Sequence, residues 1–532
     1  MKRIITALLI SLSAALAYAG GTRQDAGSAP GSGPAAITVE VFDRGTGGGT
    51  DWSRSNPANN NWTQWIQEKL LKDENIAVNF VTVPRSEEVA GLNNMLAAGN
   101  APDICLTYSS ELITHYQSLG GLFDMAPYID SLLKDLKAYL GPDPSLPGRY
   151  LIARKQDRAT GAVYAIPGRR TILGRHNTFI RKDWLDKLGL PPPSTTEEFF
   201  NDLMAFKEKD PGGAGKDRVI PFGLSKAVQQ HAGILLGSFV DPNLSVKERW
   251  INTVGEFEFL LPGQKEGFRF LNRMYNAGLI DRDFPLYPDK EASYNVVKAG
   301  LVGSFGANWD VGTGFNIDLR RTVPAGEIVA IDPFKNAAGK TVKSVYDPEG
   351  IYFFVPKSSK APEAALRYAN WLGRPENYTF LQAGPEGIVH DKVNGLPKIK
   401  MPQEIPPLWI QNSGYNMDYT FNINGVDLGD PGKNARMLTL GNPDLDPKYI
   451  LEAYDISMRN PVPVPVIIPS SPLTASGPYM QTLTDKAYVL MAAVITARPV
   501  DFDKVWESEL SSWLASGAQA VVDERRAKYV AP

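Results

Sequence analysis

Residues 180–199 read IRKDWLDKLGLPPPSTTEEF. A helical run closes on Gly189, three prolines follow at 191–193, and a second helix starts at a Thr195 or Thr196 cap with Glu198 placed for a capping box. Proline fixes φ and holds the residue before it extended, so the chain leaves this joint stiff. A helix stop followed by a rigid loop accounts for the prolines alone. What lies on either side decides the fold.

On the N-terminal side, ITVEVFDRG (37–45) alternates like a strand, and NWTQWIQEKLLK (61–72) has helical spacing with Trp62, Trp65, Ile66 and Leu70 near one face. IAVNFVTVP (76–84) and PDICLTY (102–108) read as strands, each followed by a helical stretch, 86–100 and 109–123. This β-α alternation predicts a mostly parallel sheet covered by helices, with any ligand at the carboxyl ends of the strands. Past the prolines it resumes: helices over 195–210, 228–240, 265–280, 291–300 and 361–376, strands within 301–312, 327–334 and 349–359, and a largely helical tail over 484–530. The proline-rich stretch 396–480 shows no clear period, and no repeat of fixed length occurs.

The chain has 532 residues, enough for two or more domains, with 43% apolar and 21% charged residues as in ordinary globular proteins. A formal net charge of −3 gives no basic surface for nucleic acid or acidic membranes. Residues 1–19, MKRIITALLISLSAALAYA, have the form of a secretory signal: Lys2 and Arg3, a short apolar core, and small residues at Ala17 and Ala19. The apolar run is short for a membrane anchor, and no cysteine follows the expected cleavage site to carry a lipid. The expectation is a monomeric periplasmic protein of formal charge −5, its first residues 20–36 a flexible linker. Cys105 is the one cysteine and sits in an apolar run, which suits a buried side chain; the four histidines stand singly, in no metal-binding pair.

Several stretches taken together resemble the extracellular solute-binding proteins of ABC importers (family 1), especially large oligosaccharide-binding members such as the alginate-oligosaccharide binder. They are MLAAGNAPDICL (95–106), GGLFDMAPYID (120–130), GAVYAIPGRRT (161–171) and FIRKDWLDKLGLPPPSTTEEF (179–199), then FKEKDPGGAGKDRVIPFG (206–223), YNAGLIDRDF (275–284), GPEGIV (384–389) and the segment 498–524. The resemblance implies an α/β, two-lobe periplasmic-binding-protein fold (type II-like), with a ligand cleft between lobes joined by hinge crossings. Lobe 1 is expected from 37–178 plus 335–375, and lobe 2 from 179–334 plus 376–532. The strand at 178–182 becomes the first crossing, and Pro191–Pro193 start the second lobe as a rigid body. It also implies a membrane permease as partner and no catalysis.

One stretch departs from the family. Where alginate-binder relatives carry a calcium loop, residues 210–222 read DPGGAGKDRVIPF: Asp210 and Gly215 keep their places, but Gly212, Ala214 and Arg218 replace oxygen donors. Calcium takes six to eight oxygens, so a metal-free turn is expected here, and no cofactor. Sugar binders stack aromatic faces on pyranose rings and set polar groups on the hydroxyls. The resemblance and strand-end position make Trp309 and Tyr108 the leading stacking residues. Trp62 and Trp409 are further candidates, with Tyr164, Tyr346 and Tyr415 behind them. Core packing is the better reading for Trp65, Trp184 and Trp371. Arg169 and Arg170 suit a carboxylate or hydroxyls, or an interlobe salt bridge, and Asn308, Asp310 and Glu386 suit hydroxyls.

Two other function classes remain open at this point. A secreted glycan hydrolase would use two carboxylates such as Asp310 and Glu386, and a peptide or other small-solute binder would use the same fold. No nucleophile elbow or phosphate loop supports an enzyme.

Overall fold

The computed structural model describes residues 33–531 except 45–55, 145, 147, 288–289, 333, 337–338, 340–342, 412–415, 441–443, 460, 463–466, 468 and 472. The expected signal peptide, most of the linker and Tyr415 lie outside the described residues. Ala35 and Ala36, assigned above to the linker, instead open the first strand.

In chain order the strands are β1 (Ala35–Asp43), β2 (Ile76–Pro84), β3 (Cys105–Thr107), β4 (Ile166–Arg170), β5 (His176–Arg181), β6 (Ile220–Gly223) and β7 (Val302–Asn308). They continue as β8 (Ile328–Ile331), β9 (Lys343–Ser344), β10 (Glu349–Phe354), β11 (His390–Val393), β12 (Leu396–Ile399), β13 (Ile423–Asn424) and β14 (Pro461–Val462). Two lobes follow from how these pair. In the first, β1 and β2 run parallel, Val39 bridges to Ile104 beside β3, and the sheet continues β3-β10-β4-β13. The second is a sheet of order β6-β7-β5-β8.

In the first lobe β1, β2 and β3 run parallel as the alternation predicts, and β13 is parallel to β4, but the second sheet is mostly antiparallel and both sheets are mixed. Strand β10 returns from the other lobe and enters antiparallel between β3 and β4, while β5 runs antiparallel to both β7 and β8. A chain that crosses between lobes and comes back inserts a strand of opposite sense. The β-α period of the sequence carries no sign of that.

Each lobe has its own core. Val41, Trp62, Ile66, Phe353, Tyr368 and Trp371 pack in the first; Trp184, Phe199, Phe206, Leu271, Leu490 and Trp513 pack in the second. The division expected above needs correction at two places. Leu381, Val389, Ile405, Ile410, Tyr419 and Phe421 join the core of lobe 1, so 381–421 belongs there and not in lobe 2. Short 3-10 turns such as Pro402–Glu404 and Pro407–Trp409 give this segment no 2- or 3.6-residue period, so its buried face is invisible in the sequence.

The first crossing is 171–175 and not the strand at 178–182 expected above, which lies in β5 within the lobe 2 sheet, so 176–178 belongs to lobe 2. The chain crosses again between β8 and β10 and after β13. In the crossing between β8 and β10, β9 pairs with β14. The proline joint is anchored beside it. Gly189 caps its helix in the left-handed region (φ 70°), Thr195 and Glu198 form the capping box, and the Lys335 N–H donates to the Ser194 carbonyl at 2.9 Å.

Candidate ligand site between the lobes

A cleft of about 390 Å³ opens between the lobes. Ser110, Glu111 and Tyr164 line it from lobe 1; Trp250, Gly255 and Arg525 line it from lobe 2. Local sequence sets these positions. The helix Ser110–Ser118 is capped by Ser109, whose hydroxyl accepts from the Leu112 N–H and donates to Glu111 Oε2 at 3.2 Å. The helix Val246–Asn252 starts on a Ser245/Glu248 capping box and carries Trp250 half-buried.

Arg525, in the last turn of the helix Gln519–Lys528, donates from Nη1 to the carbonyls of Trp250 (2.8 Å) and Thr253, and its Cζ lies 5.5 Å from the Trp250 ring centre. Its Nε–H is buried without an acceptor. Burial lowers the pKa of this guanidinium, while Glu111 across the cleft and Glu524 pull it the other way.

The back wall is a charge network. Arg154 lies within 3.3 Å of Asp143, 2.5 Å of Asp347 and 3.1 Å of Glu349, and Lys155 pairs with Glu349 at 2.8 Å. Burial, then the nearby Glu349, pushes the Asp347 carboxyl up to about 6. Burial also pushes Glu349 up, but Lys155 and Arg154 outweigh it and hold that group below its ordinary value. Tyr352 donates to Glu349 at 2.6 Å.

Where the hinge strands meet, Arg170 and Arg175 both pack on the Tyr346 ring, at 4.2 and 5.4 Å from its centre. The Tyr346 hydroxyl donates to Asn308 Oδ1 at 3.1 Å. Arg170 is within electrostatic reach of Tyr108 and of Asp347, which lines the cleft. The structure thus gathers Arg170, Asn308 and Tyr346 at the hinge crossing, next to the cleft-lining Asp347 and outside the cleft's own lining, with Tyr108 close by.

Tyr108 is already engaged. It stacks on Phe42 at 6.1 Å, receives the Arg85 guanidinium at 4.3 Å, and its hydroxyl accepts from Asn424 at 3.1 Å. Trp309, expected to stack on ligand, is 4% exposed: it packs among Leu445, Tyr449 and Ile450 with its ring against Tyr454 at 5.3 Å. The physical reason is the helix Pro447–Ser457, which covers the strand end that the sequence left open. Trp62 is fully buried, donating its indole N–H to the Trp409 carbonyl at 3.1 Å, and the two rings meet edge-on in the lobe 1 core. Asp310 is exposed on the short helix Trp309–Gly312, and Glu386 is exposed and paired with Lys392 at 2.8 Å. Arg169 is exposed, reaches the Tyr139 carbonyl at 3.4 Å, and with Arg170 borders a separate recess of about 300 Å³.

Sequence reasoning missed Glu111, Trp250 and Arg525. A tryptophan on the otherwise charged helix VKERWIN was the available signal for Trp250; Arg525 sits in a charged tail that reads as solvated surface. In the loop at 210–222, both Asp210 carboxylate oxygens accept backbone N–H groups, from Ala214 at 3.0 Å and Gly215 at 2.8 Å. That leaves Asp210 bound into a turn of its own chain.

Residues 56–379 match the family described as bacterial extracellular solute-binding protein. Among curated relatives, the polygalacturonan/rhamnogalacturonan-binding protein YtcQ of Bacillus subtilis is 24% identical over 61% of this chain and 63% of its own length. The lipoprotein LipO of the same organism is 29% identical over 42% of this chain and 43% of its own. The fructooligosaccharide ABC transporter substrate-binding protein FusA of Streptococcus pneumoniae is 26% identical over 41% of each chain. The match therefore spans less than two thirds of each of these relatives. Among solved structures, the alginate-binding protein AlgQ2 without calcium ion superposes with a TM-score of 0.64 at 19% identity, over 94% of this chain and 98% of that one. An "HMO binding" ABC-transporter-associated solute-binding protein of Bifidobacterium longum infantis gives 0.62 at 19% identity, over 93% and 98%. These likenesses show the two-lobe fold.

Proposed function

The chain belongs to the bacterial extracellular solute-binding protein family, and on that premise we propose that it holds an oligosaccharide between its lobes and delivers it to the permease of an ABC importer. The observation that carries the reading is the placement of Tyr164 and Trp250 on opposite lobes of one cleft, with Glu111 and Arg525 beside them. Two half-buried aromatic side chains offer apolar surface for a sugar ring, and the charged groups orient its hydroxyls. The hinge crossings supply the motion that brings the two walls together. YtcQ, a polygalacturonan/rhamnogalacturonan-binding protein, and FusA, a fructooligosaccharide ABC transporter substrate-binding protein, support the same ligand class. The protein acts outside the cytoplasm, as a monomer, with no metal.

The test is a thermal-shift screen of the exported chain against neutral oligosaccharides, oligouronates and short peptides. A ligand that binds only the folded state raises the melting temperature by mass action. At least one oligosaccharide should do so without being turned over. A shift from peptides alone would replace this reading with a peptide binder, and cleavage of a sugar would replace it with a hydrolase.

A further inference from the structure

We infer that the oligosaccharide held between the lobes is acidic, and that Arg170 and Arg175, packed on Tyr346 at the hinge crossing beside the cleft-lining Asp347, receive a sugar carboxylate. The inference rests on the ligand-binding reading above and names the substrate class for it. Arginines elsewhere in the described structure show what a finished site looks like. Arg44 is bidentate to Asp418, Arg181 is bidentate to Asp183, and Arg154 is surrounded by three carboxylates. Arg170 and Arg175 differ. Among the described residues neither forms an ion pair, and the Nε–H of each is buried without an acceptor. What each has is the Tyr346 ring, itself fixed by its hydrogen bond to Asn308.

Two guanidinium groups packed on one ring repel each other, and partial burial removes the water that would screen them. Burial holds the Arg170 guanidinium below its ordinary pKa even with Tyr346, Tyr108, Asp347 and Tyr352 pulling upward. The carboxylates within reach are already engaged. Asp347 is held by Arg154 at 2.5 Å, and Glu258, which feels Arg175 and Arg249, accepts from Gln264 at 3.4 Å. Arg525, with its own buried and unpaired Nε–H, adds a third cation on the lobe 2 wall facing Glu111. A sugar carboxylate supplies what this arrangement lacks: a planar acceptor that two forked donors share, bringing a charge that a hydroxyl does not.

The experiment is titration calorimetry with trisaccharides of galacturonate, mannuronate and guluronate, each beside its carboxyl-reduced neutral form. At least one uronate should bind at least tenfold tighter than its neutral partner, and that affinity should fall as salt rises while the neutral one holds. Arg170→Gln and Arg175→Gln should each remove most of the preference for the uronate and its salt dependence. Melting curves identify any variant that fails to fold; the salt dependence of the wild type then decides alone. Equal or tighter binding of the neutral forms overturns the inference and leaves the binding reading standing. If no sugar of either kind binds here or in the thermal-shift screen, the binding reading itself has failed.

Discussion

Trp309 and Trp250 show how differently two tryptophans can be legible. Trp309 ends a strand and is followed by Asp310 and a glycine-rich turn, which reads as a ligand platform; Leu445, Tyr449 and Tyr454, far along the chain, bury it. Local sequence holds no trace of that covering helix. Trp250 is marked only as the one aromatic residue on a charged helix, yet it stands on the cleft. Tyr164 lies in the stretch GAVYAIPGRRT that carries part of the resemblance and reads there only as a lesser candidate. The two roles separate by mutation. Trp309→Ala should cost about 3–5 kcal/mol of stability, as truncating a core aromatic does, and leave affinity in the folded protein nearly unchanged. Trp250→Ala and Tyr164→Ala should each weaken sugar binding by about 2 kcal/mol with a much smaller change in melting temperature. Calorimetry beside melting curves reads both quantities. Loss of affinity confined to Trp309→Ala would return that residue to the site.

At the scale of elements, the capped helices and the proline joint were plain in the sequence because their signals are local: a Thr195/Glu198 box, a left-handed glycine, three fixed φ angles. The segment 396–480 was not, since its strands are short and its order comes from what it packs against. Within it β14 pairs with β9 and brings Lys343 into the hinge. Lys343 is 1% exposed and donates to Asn177 Oδ1 at 2.5 Å and to the Ile456 carbonyl at 2.7 Å. Burial lowers its pKa from the ordinary 10.5 to about 7, against Asp332 and with Arg459. Between those values the unfolded chain holds the extra proton, so stability should rise with pH from about 7 toward 10.5, and the cost of the buried charge is fully present below about 7. Lys343→Met should be more stable than wild type at pH 6 and should lack this rise. Denaturant melts at pH 6, 8 and 9.5 check it; parallel pH profiles in the two proteins would contradict the assignment. The loop at 210–222 gives a second expectation at this scale. With both Asp210 oxygens held by backbone N–H groups, a chelator should leave the melting temperature unchanged, and added calcium should not raise it. A calcium-reversible loss on chelation would count against the loop as described.

At the scale of the molecule, two α/β bodies joined by crossings were readable as a resemblance spread over many weak stretches. The resemblance left open which late residues serve which lobe. Residues 381–421 went to lobe 1 because Leu381, Phe421 and their neighbours fill its core, a choice set by packing and not by chain order. The cleft draws on helices from both lobes, so its wall was beyond any local reading, while the hinge cluster beside it, Arg170 with Tyr346 and Asn308, lay close to strand ends that sequence reasoning could find. Closure of the two bodies around a sugar is the central claim. Small-angle scattering of the exported chain, alone and saturated with whichever trisaccharide the calorimetry shows to bind, tests it most directly. The radius of gyration should fall on saturation, and the Trp250→Ala protein should need more sugar to reach the same compact state. A sugar that binds stoichiometrically while the radius of gyration stays constant would contradict closure.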